Sequence, residues 1–136
     1  MMYRKLGFAE LAAAVLEVLR ENTRYDVYDA VPEDAPSPFL FAEVVGKRDS
    51  SSKTTWKETF TVNIHCIAEP SDARTQVYQM IQEAEEAMTA PLFMPSGVEC
   101  LLQSETGVQS MQLDDTGEWH AVIGYEIMTS YGLKIK

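Results

Sequence analysis

The 136-residue chain is long enough for one domain with a sizeable core and too short for two that each bury enough apolar surface. Its 46% hydrophobic and 10% aromatic content is that of a folding sequence rather than a disordered one. Eleven basic against twenty-one acidic side chains give a net charge of -10, which argues against nucleic acid as the main partner and against an anionic membrane surface. The reading is a single domain over residues 1–136, with no linker and no internal repeat. No apolar run reaches the length of a membrane span, and Cys66 and Cys100 lack metal or redox spacing, which suggests reduced thiols, although one disulfide stays open.

From Arg4 to Asn22, Phe8, Leu11, Ala12, Val15, Val18 and Leu19 recur at three- and four-residue steps around an alanine run, the pattern of an amphipathic helix. Tyr25–Val31 alternates weakly before Pro32, Pro36 and Pro38, predicting a short strand and then a loop. Phe39–Val45 is a strand ending at Gly46. The polar stretch Gly46–Thr55 reads as a long mobile hairpin connection. Trp56–Ala68 alternates, with Trp56, Phe60, Val62, Ile64 and Cys66 on one face and Lys57, Thr59, Thr61, Asn63 and His65 on the other.

Ser71, after Pro70, is the expected N-cap of a second helix whose stripe is Val77, Met80, Ile81, Ala84 and Met88. Two shorter strands follow, Val98–Ser104 and Val108–Leu113, then an Asp114-Asp115-Thr116-Gly117 turn and a long strand from Glu118 to Tyr131. In that strand Trp119, Ala121, Ile123, Tyr125 and Ile127 share one face, opposite His120, Gly124, Glu126 and Ser130. The order implies an α+β fold with one mainly antiparallel sheet, both helices on its apolar face, and a long β-hairpin loop.

Catalytic signatures are sparse. His65 and His120 with a cysteine would suggest a metal, but alternation turns Cys66 away from His65. The same parity breaks a Cys66–His65 dyad, and Asp114-Asp115 suffices as turn chemistry. No phosphate loop, Gly-x-Ser-x-Gly elbow or His-Glu-x-x-His pair occurs. The expectation is a non-enzyme without catalytic residues, cofactor or metal. The distinctive charge feature is the hairpin, where Lys47, Arg48, Lys53 and Lys57, with Asp49 and Trp56, form a candidate partner-binding segment that orders on an acidic neighbour, including a second copy.

Three runs carry a family resemblance: Val27-Tyr28-Asp29-Ala30-Val31-Pro32 with Pro38-Phe39-Leu40-Phe41; Thr59-Phe60-Thr61-Val62-Asn63-Ile64-His65-Cys66 leading into Pro70-Ser71; and Asp114-Asp115-Thr116-Gly117-Glu118-Trp119-His120-Ala121-Val122-Ile123-Gly124-Tyr125. In these runs and their order the chain resembles the tail-completion, or tail-terminator, proteins of long-tailed phages and prophages. The resemblance implies a structural protein whose copies close a ring, commonly a hexamer, on the head-proximal end of the tail tube. There it would stop tube growth and join the tail to the head, with tail tube protein and head connector as partners. It also implies that the Gly46–Thr55 hairpin reaches neighbouring subunits or the tube, and that the protein passes from the host cytoplasm into the virion tail. A neck or minor capsid component shares the same pattern, and the alternative from another class is a small-ligand-binding or regulatory α+β domain, dimeric through its sheet.

Overall fold

In the computed structural model, residues 2–134 are described. Two helices and five strands follow in the order α1 (Phe8–Asn22), β1 (Asp26–Tyr28), β2 (Phe39–Asp49), β3 (Thr55–Ile67), α2 (Thr75–Ala87), β4 (Glu99–Leu113) and β5 (Trp119–Leu133). The strands form one sheet in the order β1-β2-β3-β5-β4. Every pairing is antiparallel except β1 with β2, which is parallel across the proline-rich loop. The α+β fold with a mainly antiparallel sheet is therefore the one expected.

The core follows from alternation. Leu40 and Ala42 of β2, Phe60, Val62, Ile64 and Cys66 of β3, and Ala121, Ile123, Tyr125 and Ile127 of β5 form one buried cluster. Leu11, Val15, Val18 and Leu19 of α1 and Val77, Met80, Ile81 and Ala84 of α2 belong to the same cluster. Residues from both helices and three strands thus share one buried cluster, and burial of this apolar area supplies most of the stabilisation.

Several boundaries differ from those read in the sequence. α1 begins at Phe8, four residues later than Arg4, because the Gly7 N–H is taken up by Glu10 Oε1 at 3.0 Å and the helix starts there. Phe8 is half exposed, its ring edge-on to Phe60 instead of inside the core. Ser71 does not cap α2: its hydroxyl accepts the Ala73 N–H at 3.0 Å in a turn of its own, and the helix starts at Thr75. The Gly46–Thr55 connection is mostly strand, since Gly46–Asp49 pair with Glu58–Thr61 and only residues 50–54 lie outside the two strands. The expected pair of strands between Val98 and Leu113 is one continuous strand, β4, with register shifts at Cys100/Leu102, Glu105/Gly107 and Val108/Ser110. Each extra residue resets the alternation, and Gly107, at φ +115°, occupies a conformation that side-chain-bearing residues avoid.

A buried carboxylate organises the base of the hairpin. Glu58 on β3 is 5% exposed, with Oε2 facing Lys5 Nζ at 3.4 Å and Lys47 Nζ at 3.6 Å. Its Oε1 accepts a 2.7 Å hydrogen bond from the Tyr131 hydroxyl, which in turn accepts the Leu6 N–H at 3.2 Å. Three distant segments thereby share one charge. Removing the hydroxyl leaves a buried carboxylate one donor short, so Tyr131→Phe is expected to cost about 2 kcal/mol, the scale of a hydrogen bond to a charged group. Urea unfolding of the two chains measures it; an unchanged midpoint would show that the lysines alone satisfy Glu58.

Candidate functional site

The six residues singled out on the hairpin do not act alike. Lys47 lies beside the Phe8 and Phe60 rings, at 5.5 and 5.6 Å from their centroids, while paired to Glu58. Arg48 donates to Glu126 Oε2 at 2.9 Å across the outer part of the sheet. Asp49, exposed, closes on its own turn, its Oδ1 accepting the Ser51 N–H at 2.9 Å, and hydrogen bonds from Ser51 hold its carboxyl below the ordinary range. Trp56 is sandwiched, with the Tyr3 ring stacked at 5.0 Å and Lys134 Nζ 4.4 Å from its centroid. Lys53, exposed in the turn, and Lys57, half-buried on β3, have no ion-pair partner among the described residues. Of four basic side chains, two hold the hairpin in place and two are left to meet something else.

The sheet's edges are unlike each other. β1 covers β2 only from Phe39 to Phe41, so among the described residues no strand pairs with the outer edge of β2 from Ala42 to Asp49. At the other side β4 is the edge strand along its whole length, and Leu101, Leu102, Val108 and Leu113 are exposed on it. One edge ends in a basic hairpin and the other is bulged and apolar.

Between the second half of α2 and β4 lies a groove of about 480 Å3. Its polar lining comprises the carboxylates of Glu85 and Glu105, the hydroxyl of Tyr125, and Thr89 and Gln103, whose side chains are already bonded to backbone groups, while Leu101, Leu102 and Pro91 supply apolar rim. Glu105 stands directly across the β4–β5 ladder from Tyr125. The neighbouring Glu105 carboxylate, with burial added, pushes the Glu85 carboxyl up to about 7, so Glu85 gives up its proton only near neutrality. Nothing in the sequence reading pointed here, because the pairing depends on a register that only the bulges of β4 set.

The two histidines do meet. His65 Nε2 bonds Glu43 Oε1 at 2.8 Å, His65 Nδ1 and His120 Nε2 are 2.8 Å apart, and His120 Nδ1 faces Asp114 Oδ2 at 3.5 Å. Phe41 stacks on His65 at 4.0 Å. Cys66 points into the core, where burial pushes its thiol up to about 12, far from a thiolate nucleophile. Both cysteines are free thiols. Among the described residues no three His, Cys, Asp or Glu side chains converge as a metal-binding group.

Burial is the main cause holding His65 below its ordinary value of 6.5, ahead of the opposing bond from Glu43. As pH falls, the unfolded chain therefore takes up this proton before the folded one does. The stability contributed by the neutral ring is intact above about pH 6.5 and declines below it. His65→Gln is expected to flatten the fall in Tm between pH 6.5 and 5; an unaltered profile would place the acid sensitivity elsewhere.

Comparison with known proteins puts these features in context. No curated protein matches the chain. Among solved structures, a chain from the virion of a native gene transfer agent particle is similar in fold, with a TM-score of 0.73 at 17% identity over 93% of this chain and 99% of that one. Residues 2–136 match a family of phage tail terminators, described as a tail termination protein. That match spans the helices, the hairpin and every strand described above, and on it the chain belongs to the phage tail terminator family as a structural protein of a phage-type tail.

Proposed function

We propose that copies of this chain close a ring, with a hexamer as the expected closure, on the head-proximal end of a tail tube. The ring ends tube growth and offers its other face to the head connector. Its action is geometric and not catalytic. The observation that carries this reading is the inequivalence of the two sheet edges: a basic hairpin on the β2 side, a bulged strand with exposed leucines beside paired carboxylates on the β4 side. A molecule with two different complementary edges associates head to tail, and head-to-tail contacts that close make rings, whereas a dimer through a two-fold axis requires one self-complementary patch. Family membership supports the same reading. Assembly in the host cytoplasm and residence in the virion tail follow from it.

Charge gives a second reason for head-to-tail contact. At a net charge of -10 the copies repel at long range, so contact is favoured where basic groups of one copy approach acidic groups of the next. Lys53 and Lys57 are the hairpin cations left for that purpose, and they replace Lys47 and Arg48 as the residues on which association should depend. Trp56, already in contact with the Tyr3 ring and the Lys134 ammonium, serves to position the hairpin.

Light scattering across a concentration series, with and without purified tail tubes and with negative-stain images, tests the ring; a stable dimer would favour the ligand-binding alternative. Lys53→Ser with Lys57→Ser is expected to weaken ring or tube association at least tenfold at physiological salt while leaving the Tm within about 2 °C, as surface changes usually do. Undiminished association of this variant would remove the hairpin from the interface.

A further inference from the structure

We propose that the groove between α2 and β4 is the receptor for one cationic side chain of a neighbouring copy, the Lys53 ammonium, held between Glu85 and Glu105 and accepted by the Tyr125 hydroxyl. The proposal rests on the ring reading above and names the contact that closes it.

Three observations converge on the groove. Tyr125 is 3% exposed and lines the groove; burial, with Glu105 beside it, holds its phenol above the ordinary value, and its hydroxyl meets no partner at good hydrogen-bond geometry among the described residues. A buried hydroxyl in that state costs stability that an incoming donor would recover. Glu105, its cross-strand neighbour, and Glu85 on α2 bring two carboxylates to the same space, close enough that Glu85 keeps its proton up to near neutrality. That proton stands where a cation belongs. A primary ammonium has three N–H donors, matching two carboxylates and one phenolic oxygen, and its methylene stem fits the rim of Leu101 and Leu102.

A divalent metal fits less well, because the site offers two carboxylates and a phenol, the Thr89 and Gln103 side chains being engaged with backbone groups, and so falls short of the six to eight oxygens that calcium takes. The cation cannot come from the same copy. β2 and β4 are separated by three strand spacings, about 14 Å, and Glu105 lies opposite Tyr125 while Trp56 lies opposite Gly132, seven residues or about 23 Å further along β5. Lys53, exposed and without an ion-pair partner among the described residues, can reach this groove only on another molecule.

Occupancy displaces the Glu85 proton, so the contact should tighten as pH rises through 7, where Glu85 gives it up. Opposing this, the empty groove in an isolated copy loses stability over the same range, since a carboxyl whose folded value is raised stabilises the fold at low pH and less so above about 7.

The test is a charge exchange read by assembly on tail tubes, with an NMR titration of the full chain beside it. Lys53→Glu and Glu105→Lys should each reduce assembly at least tenfold, and the double variant, made with Glu85→Gln so that no carboxylate is left in the groove, should recover it, since one positive groove then faces one negative arm in every contact of a ring of identical copies. N-acetyl-lysine methylamide should shift the Tyr125 ring resonances of the wild-type chain more strongly at pH 8 than at pH 6, and Glu105→Gln should abolish the shift; calcium chloride should not reproduce it. If Lys53→Glu abolishes assembly and the double variant fails to recover it, the groove is not the receptor although the ring stands. Unchanged assembly in both single variants overturns the proposal, as does calcium binding in preference to the lysine probe. Absence of any wild-type assembly removes the ring itself and with it the proposed occupant.

Discussion

A charged group inside a protein is tolerated only where other groups surround it, and Glu58 imposes that requirement on much of this molecule. Its carboxylate collects Lys5 from the segment before α1, Lys47 from β2 and the Tyr131 hydroxyl from β5. A purely apolar residue at this position would have packed without specifying which segments meet. The carboxylate instead specifies the register of the outer hairpin against β5 and the course of the chain entering α1. Two of the hairpin's cations are thereby committed to structure, Lys47 to Glu58 and Arg48 to Glu126, which is why the basic cluster is smaller in effect than in composition.

The overall architecture was legible because it rests on periodicity. The stripes of α1 and α2, the alternation of β3 and β5 and the tight turn closed by Gly117 at φ +82° are local signals, and the packed cluster repeats them almost residue for residue. Glu58 was legible too, by parity: it alternates with Phe60 and Val62 and so had to lie on their side of the sheet. β4 was harder, since three register shifts scramble its period and make one strand look like two. The groove was not legible at all. Glu85 and Glu105 are twenty residues apart, and only the bulged register sets Glu105 across from Tyr125.

The polar face of the sheet follows a different logic from the groove. Glu43, His65, His120 and Asp114 form a chain of contacts across β2, β3, β5 and the turn before β5, with Phe41 stacked on the central ring. Next to it, Gly124 leaves room for the side chains of β4: a Cβ there would overlap the Gln109 amide and the Thr106 hydroxyl. Four of this surface's polar groups are satisfied laterally, although the Asn63 side-chain oxygen on the same face has no partner among the described residues. In the groove the Gln103 and Thr89 side chains are bonded to the backbone, and the Tyr125 hydroxyl is the group left short of a partner among the described residues.

The bracing of Trp56 between Tyr3 and Lys134, with Tyr131 5.5 Å from Tyr3, bears on the order in which the molecule acquires its shape. The β2–β3 hairpin closes over a short turn and is a fast, local event, but its direction is set by side chains more than a hundred residues apart in sequence. Contacts of such long separation form late, after the loop entropy between them has been overcome. The hairpin therefore exists early and is aimed late, once β5 has docked. The hairpin's two strands can pair on their own, but the direction in which the basic turn points is fixed only once both ends of the chain lie against Trp56.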